Sequence, residues 1–318
     1  KEKFQELRHP LNSLVVHPSR ILTFLPSCFP DKKSPSAFFF IDEEYTVDES
    51  QAGMVDDLIA FLNACPTPFH AVAEVRRRLE AAGTVRLDEG AKWGVALGGV
   101  APGGRFFVER GGGSIVAFRI GSKPPAEAGF RIIGAHTDSP GLRLKPRAAR
   151  SREGFVALDV EVYGAPILAS WADRDLGVAG RVVVDEGLGG RLASRLVRLD
   201  GPALRIANVA IHLNREVNDA GLVLNRHRHL APIVAEWGAE GDPRTAFEDK
   251  LAEATGVSRE AIVGADLALF DIASAARGGW GGEFVFSGRL DNLAMCHAGL
   301  TAFLRGGTGD EQSATAVL

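Results

Sequence analysis

Apolar residues recur at helical spacing over 55–64 and again over 69–82, and Cys65-Pro66-Thr67-Pro68 between them blocks one continuous helix. Gly83 ends the second helix. From Arg105 to Arg110 and from Ser114 to Ile120 the runs shorten to strand length. Gly111, Gly112 and Gly113 between them supply the positive φ angles of a hairpin turn. Phe130 to Ala135 is a short apolar run with two isoleucines, which predicts a buried strand whose end delivers His136 to a surface.

From Phe155 to about Ile211 the pattern changes to several short strands, among them 157–163, 181–184 and 195–199, separated by Gly or charge. Helical spacing returns over 231–237 and 243–255. A strand follows at 283–286, then a helix over 292–304, and 314–318 reads as the start of another buried strand. Strands alternate with helices at both ends of the chain, around a β-rich middle. That order predicts an α/β domain, residues 54–145 and 278–318, interrupted by a second domain, residues 146–277.

Residues 1–53 look foreign to the rest: Lys1 is not Met, the first Met is Met54, and the segment mixes Pro and Ser with an isolated Phe38-Phe39-Phe40. The stretch from Ser19 to Pro26 is too short and too Pro-bounded for a signal peptide. A non-native or disordered extension is expected there, with Met54 the natural start.

The bulk numbers exclude some classes of function. A chain of 318 residues with 46% apolar content can bury one large or two medium cores. Its apolar runs break well before the roughly eighteen residues that a membrane helix needs. A net charge of −4 and a pI near 6.1 give no basic field for nucleic acid. Cys28, Cys65 and Cys296 are odd in number and lack C-x-x-C spacing, which suits a reducing cytoplasm. Cys65 and Cys296 fall in helical patterns and read as small buried hydrophobes.

Two strand ends carry candidate chemistry. His136-Thr137-Asp138-Ser139-Pro140 follows an apolar strand, where an open α/β sheet presents its ligands. A neutral imidazole there can bind zinc, and Asp138 can orient the ring, although a polar loop explains the same residues. Ser287-Gly288-Arg289-Leu290-Asp291-Asn292 repeats the situation before a helix, and Asp291 as a helix cap needs no metal. The pair becomes informative when His136 and Asp291 converge on one metal pair, with a bridging carboxylate between the ions. Other residues have plainer readings. His212 reads as a partly buried hydrogen-bonded ring, His227 and His229 as a solvated basic loop, Asp173-Arg174-Asp175 as ion pairs, and His297 as core.

The strings are more specific than the spacings. Cys65-Pro66-Thr67-Pro68-Phe69-His70-Ala71, the His136 to Pro140 motif, Trp171-Ala172-Asp173-Arg174-Asp175-Leu176, Ile211 to Arg215 and Ser287 to Leu293 occur in the order found in the aspartyl aminopeptidase family. From about Val55 to Leu318 the chain resembles that family. The resemblance implies a zinc-peptidase α/β domain interrupted by a β-rich dimerisation domain, two zinc ions per subunit, a peptide substrate with an acidic N-terminal residue, and a tetrahedral homododecamer. It implies that His136 ligates one metal, that Asp291 bridges both, and that Asp138 supports His136. It also implies that His212 reaches a neighbouring subunit's active site. The family further uses a Glu-Glu pair, an Asp and a final His that do not occur in this chain, and Asp310-Glu311 does not match that pair. The chain as given is therefore expected to be inactive and weak in metal binding, and the complete product to be a peptidase. Two alternatives stay open at this point: a related two-metal deacylase or carboxypeptidase, and a non-catalytic assembly subunit. The native metal, zinc, cobalt or manganese, is equally open.

Overall fold

The computed structural model describes residues 14–16, 21–23, 49–93, 102–187, 190–238, 240–306 and 313–318. In chain order its strands and helices begin with β1 (Leu14–Val16), β2 (Ile21–Thr23), α1 (Glu49–Ala64), α2 (Pro68–Ala81), β3 (Val85–Arg86), β4 (Arg105–Arg110) and β5 (Ser114–Arg119). They continue with α3 (Pro125–Ala128), β6 (Phe130–Ile132), β7 (Gly141–Arg152), β8 (Phe155–Tyr163), β9 (Leu176–Asp185), β10 (Leu192–Leu204), α4 (Val217–Ala220) and β11 (Ile233–Glu236). The last are α5 (Pro243–Thr255), β12 (Ile262–Asp271), β13 (Ala276–Gly278), β14 (Phe284–Phe286), α6 (Leu290–Arg305) and β15 (Thr315–Val317). The chain divides into two compact units, residues 1–63 with 274–288 and residues 64–273 with 289–318.

In the first unit β1 pairs antiparallel with β2, and β13 with β14. The Asn63 amide behaves as a piece of strand edge. It donates to the Ala275 carbonyl at 3.1 Å and accepts the Ala275 N–H at 2.7 Å. Arg277 pairs with Asp56 at 2.8 Å and donates to the Ala52 carbonyl, so α1 is tied to β13 at two levels. The helix begins at Glu49, upstream of both Met54 and the expected start at Val55. Most of residues 1–53, including Cys28 and Phe38 to Phe40, lie outside the described residues, as do Asp310 and Glu311.

The second unit contains two sheets. The five-stranded one has the order β3-β4-β5-β15-β6. Its β4–β5 hairpin turns through Gly111 and Gly112, with φ of 60° and 70°. Helix α2 buries Ala71, Val72, Val75 and Leu79, the i, i+4, i+8 stripe of its sequence. The six-stranded sheet has the order β10-β9-β12-β7-β8-β11 and is built from residues 141–271, starting ahead of the expected boundary at 146. Its core gathers Leu158, Val178, Val182, Ile206, Leu230 and Leu251. Leu251 comes from α5, which starts with Asp242 accepting the Arg244 N–H ahead of Pro243 and stops at Gly256 in the left-handed region. Arg181 of β9 braces this sheet against the other: its guanidinium lies 4.3 Å from the Phe69 ring centroid and donates to the Gly111 carbonyl at 2.7 Å.

Three local expectations need correction. The run from Phe130 is not buried: β6 is the outermost strand, paired in parallel with β15, and Phe130 and Ile132 are 59% and 71% exposed. An apolar run marks a strand with both faces covered only where neighbours supply the cover, and an edge strand has one fewer. Residues 231–237 are not helical. Pro232 and the β-branched Ile233 and Val234 favour extension, and β11 completes the sheet beside β8. Strand β12, for which no element was expected, pairs with β9 along nearly its whole length.

The tightest approach in the sheet is at Gly180 of β9, where a Cβ would stand 2.1 Å from the Asp266 carbonyl oxygen of β12. At Gly264 the nearest atom to such a Cβ is 4.0 Å away. Gly180→Ala is expected to destabilise the chain by about 1–3 kcal/mol or more, and Gly264→Ala by much less. Urea unfolding of the two variants measures the difference.

Candidate metal centre

The site belongs to the second unit and joins the segment after β6 to the first turn of α6. His136 is held by its backbone at both ends. Its N–H donates to Asn292 Oδ1 at 3.1 Å, and its carbonyl accepts from Cys296 Sγ at 3.2 Å. Thr137 Oγ1 donates to the Gly113 carbonyl, and Ser139 Oγ donates to the Asp291 carbonyl, each at 3.0 Å. The helix thus fixes the segment at His136 and Ser139, and the hairpin turn fixes it between them at Thr137.

Asp291 does not cap α6. Its backbone is non-helical (φ −85°, ψ 107°), the cap position is Arg289 at φ 60°, and no side chain caps the helix. The Asp291–Asn292 peptide is cis. Half-buried Arg289 donates from Nε to the Cys65 carbonyl at 3.2 Å, anchoring the turn that precedes Asp291. The carboxylate, freed from capping, is 88% exposed and stands with Oδ1 3.3 Å from His136 Nε2.

The other ring nitrogen, His136 Nδ1, faces the Asp138 carboxylate Oδ1 at 3.1 Å and the Asp138 carbonyl at 3.0 Å. Two acceptors there assign the proton to Nδ1. The second Asp138 oxygen accepts from the Tyr163 hydroxyl at 2.5 Å. That hydrogen bond holds the Asp138 carboxyl below the usual carboxylate range and pushes the Tyr163 phenol up, so near neutrality one is charged and the other a donor. With Nδ1 protonated, the Nε2 lone pair of a neutral ring points at a carboxylate oxygen, and two acceptors at that distance call for a cation or a proton between them. Atoms bound to one tetrahedral zinc at about 2.0–2.1 Å lie about 3.3–3.4 Å apart, so the donor pair fits such an ion. Among the described residues no group of three or more His, Cys, Asp or Glu gathers as a fuller metal site.

A family model described as aminopeptidase I zinc metalloprotease (M18) matches residues 61–318. The chain belongs to that family. A probable M18 family aminopeptidase 2 from Pseudomonas aeruginosa is 45% identical over 263 residues, which cover 82% of this chain. The chain spans 59% of that relative's length. Among solved structures, Ape4 in its complex with Nbr1 superposes with a TM-score of 0.78 at 34% identity, covering 86% of this chain and 55% of that one. Dodecameric mApe1 of S. cerevisiae gives 0.71 at 25% identity, with 85% and 60% covered.

In this M18 chain the structure brings together His136, Asp138 and Asp291 and leaves His212 apart. His212 is exposed on a single 3-10 turn, Ile211–Leu213, rather than partly buried, with Ile211 and Leu213 exposed beside it. Among the described residues it shares no hydrogen bond or ion pair with the other three. His297, Cys65 and Cys296 are buried, and burial pushes the two thiols up to about 12 and about 11. Asp173 accepts the Asn208 N–H, Arg174 pairs with Asp271, and Asp175 with Arg205. Tyr163, Asn292, Ser139 and Cys296 are neighbours of the site to which the sequence assigned no role there. Asn292 carried a signal, since it follows Asp291 directly; Tyr163 meets Asp138 only across the fold.

His70, in the first motif, is also outside the site. Thr67 Oγ1 lies 2.8 Å from its Nδ1, and burial, aided by Arg198, pushes the imidazole from 6.5 down to about 4. A lowered histidine pKa means that the unfolded chain binds more protons between those values. The stabilisation is complete above about pH 6.5 and is lost as pH falls towards 4. Unfolding free energies of the wild type and His70→Gln, measured across this window, should converge as the pH drops.

Proposed function

We propose that the whole protein is a metal-dependent aminopeptidase of the cytoplasm that removes N-terminal acidic residues from peptides. The observation that carries the reading is the 3.3 Å approach of His136 Nε2 to Asp291 Oδ1, with the opposite ring nitrogen held by Asp138. His136 would bind one zinc, Asp291 would bridge it to a second, and Asp138 would fix the ring and raise its basicity. The chemistry zinc supplies when bound is Lewis acidity, which polarises a carbonyl and acidifies water. The described side chains contribute orientation: Asn292 and Cys296 hold the His136 backbone, and Ser139 holds that of Asp291.

The six-stranded sheet is our candidate for the dimerisation domain. The exposed Ile211-His212-Leu213 turn suits a role at a contact with another subunit, where His212 would complete a neighbour's site in a homododecamer. The dodecameric M18 relative supports this assembly. The preference for acidic residues rests on the resemblance of the five motifs. No described helix is long and apolar enough to cross a membrane.

Outer partners of metal ligands cost about 10- to 100-fold when removed, so His136→Ala and Asp291→Ala should each lower kcat/KM by more than about 100-fold. The assay is release of aspartate, glutamate and leucine from their anilides by the gene product at family length, with and without chelator. Chelator-resistant turnover, or full activity in either variant, would refute the reading.

A further inference from the structure

Asp138 has two oxygens and two different partners. Oδ1 faces the His136 ring at 3.1 Å, beside the Asp138 carbonyl at 3.0 Å, while Oδ2 accepts from Tyr163 at 2.5 Å, the shorter of the two carboxylate contacts. A carboxylate turns easily about its last bond, and one hydrogen bond does not fix its plane. The Asp138 side chain is 41% exposed, so water competes for any oxygen left without a partner. A short, charge-assisted bond from the phenol restricts that freedom.

Tyr163, 39% exposed, is held through its backbone and one face of its ring. Tyr163 is the last residue of β8, in register with Gly141 at the start of β7. The Arg143 guanidinium lies 5.5 Å from its ring centroid and is held by Asp266 of β12 at 2.5 Å. The next residue, Gly164, lets the chain close on Pro140: a Cβ there would meet the proline Cβ at 3.2 Å. The end of the His136 to Pro140 segment therefore rests on the end of β8.

We infer that Tyr163 is a positioning residue of the metal centre, its hydroxyl locking the Asp138 carboxylate so that the His136 ring keeps its proton on Nδ1 and presents Nε2 to Asp291. The consequence for metal rests on the function proposed above; the effect on the ring does not. It makes the six-stranded sheet a contributor to the site within its own subunit.

Tyr163→Phe removes the hydroxyl and keeps the ring. Two readouts test the inference, ring shifts on the 15N-labelled chain and zinc affinity on the gene product at family length. The first is the pair of ring-nitrogen shifts of His136, assigned by loss of its signals in His136→Gln. Wild type should show the Nδ1–H form; in Tyr163→Phe, where the Asp138 carbonyl is the one acceptor still fixed at Nδ1, the Nδ1–H fraction should fall at unchanged melting temperature. The second is zinc affinity by competition with a chromogenic chelator, expected to fall about three- to tenfold in Tyr163→Phe and about 10- to 100-fold in Asp138→Asn. Unchanged ring shifts in Tyr163→Phe would overturn the inference. So would unchanged zinc affinity in Tyr163→Phe where His136→Gln and Asp291→Asn lose zinc, and that result would leave the metal reading standing. If the wild type takes up no zinc, the metal reading fails, and the ring shifts alone decide whether Tyr163 sets the tautomer.

Discussion

The candidate site depends on the clamp between the segment around His136 and the first turn of α6. An imidazole and a carboxylate with the whole six-stranded sheet between them in sequence meet because Asn292, Ser139 and Cys296 stitch two backbones together. Each of these bonds is modest alone, worth roughly 0.5–1.5 kcal/mol net. Their geometry does more than their energy. They fix both ends of the His136 peptide unit and leave its side chain free to face Asp291. The exposure of both side chains shows that burial does not hold the pair together.

Electrostatics then orders the residues in a line. Arg143, paired with Asp266, sits over the Tyr163 ring, Tyr163 donates to Asp138, Asp138 faces His136, and His136 faces Asp291. The line starts in the six-stranded sheet, runs through the segment after β6 and ends on α6. Arg181, stacked on Phe69 and bonded to the hairpin turn, braces that sheet against the other mechanically.

Much of this was legible from residues. Helix α2, the β4–β5 hairpin and helix α5 follow from local rules of spacing, glycine turns and proline, which act within a few residues. The two strand-end motifs singled out His136, Asp138 and Asp291, and the M18 relationship was carried by the order of five short strings. What escaped was everything decided by a distant neighbour. Strand β11 is extended because β8 offers it an edge, and β6 is exposed because it forms one. Asp291 looked like a cap because its sequence position suits one, yet the backbone turns out of the helix there. Tyr163 could not be found at all, since nothing in its surroundings along the chain points to Asp138.

The Cys296 thiol has an unusual position for so reactive a group. It is buried on α6, pushed up to about 11, and spends its weak donor on the carbonyl of the residue that faces Asp291. Oxidants and alkylating agents need the thiolate in contact with solvent, so they reach this sulfur only when the first turns of the helix come away. Once modified, the sulfur no longer fits against that carbonyl, and the histidine loses one of its two backbone anchors. Slow alkylation at this position would therefore act as a clock for local opening, and inhibition by thiol reagents would say nothing about a nucleophilic cysteine.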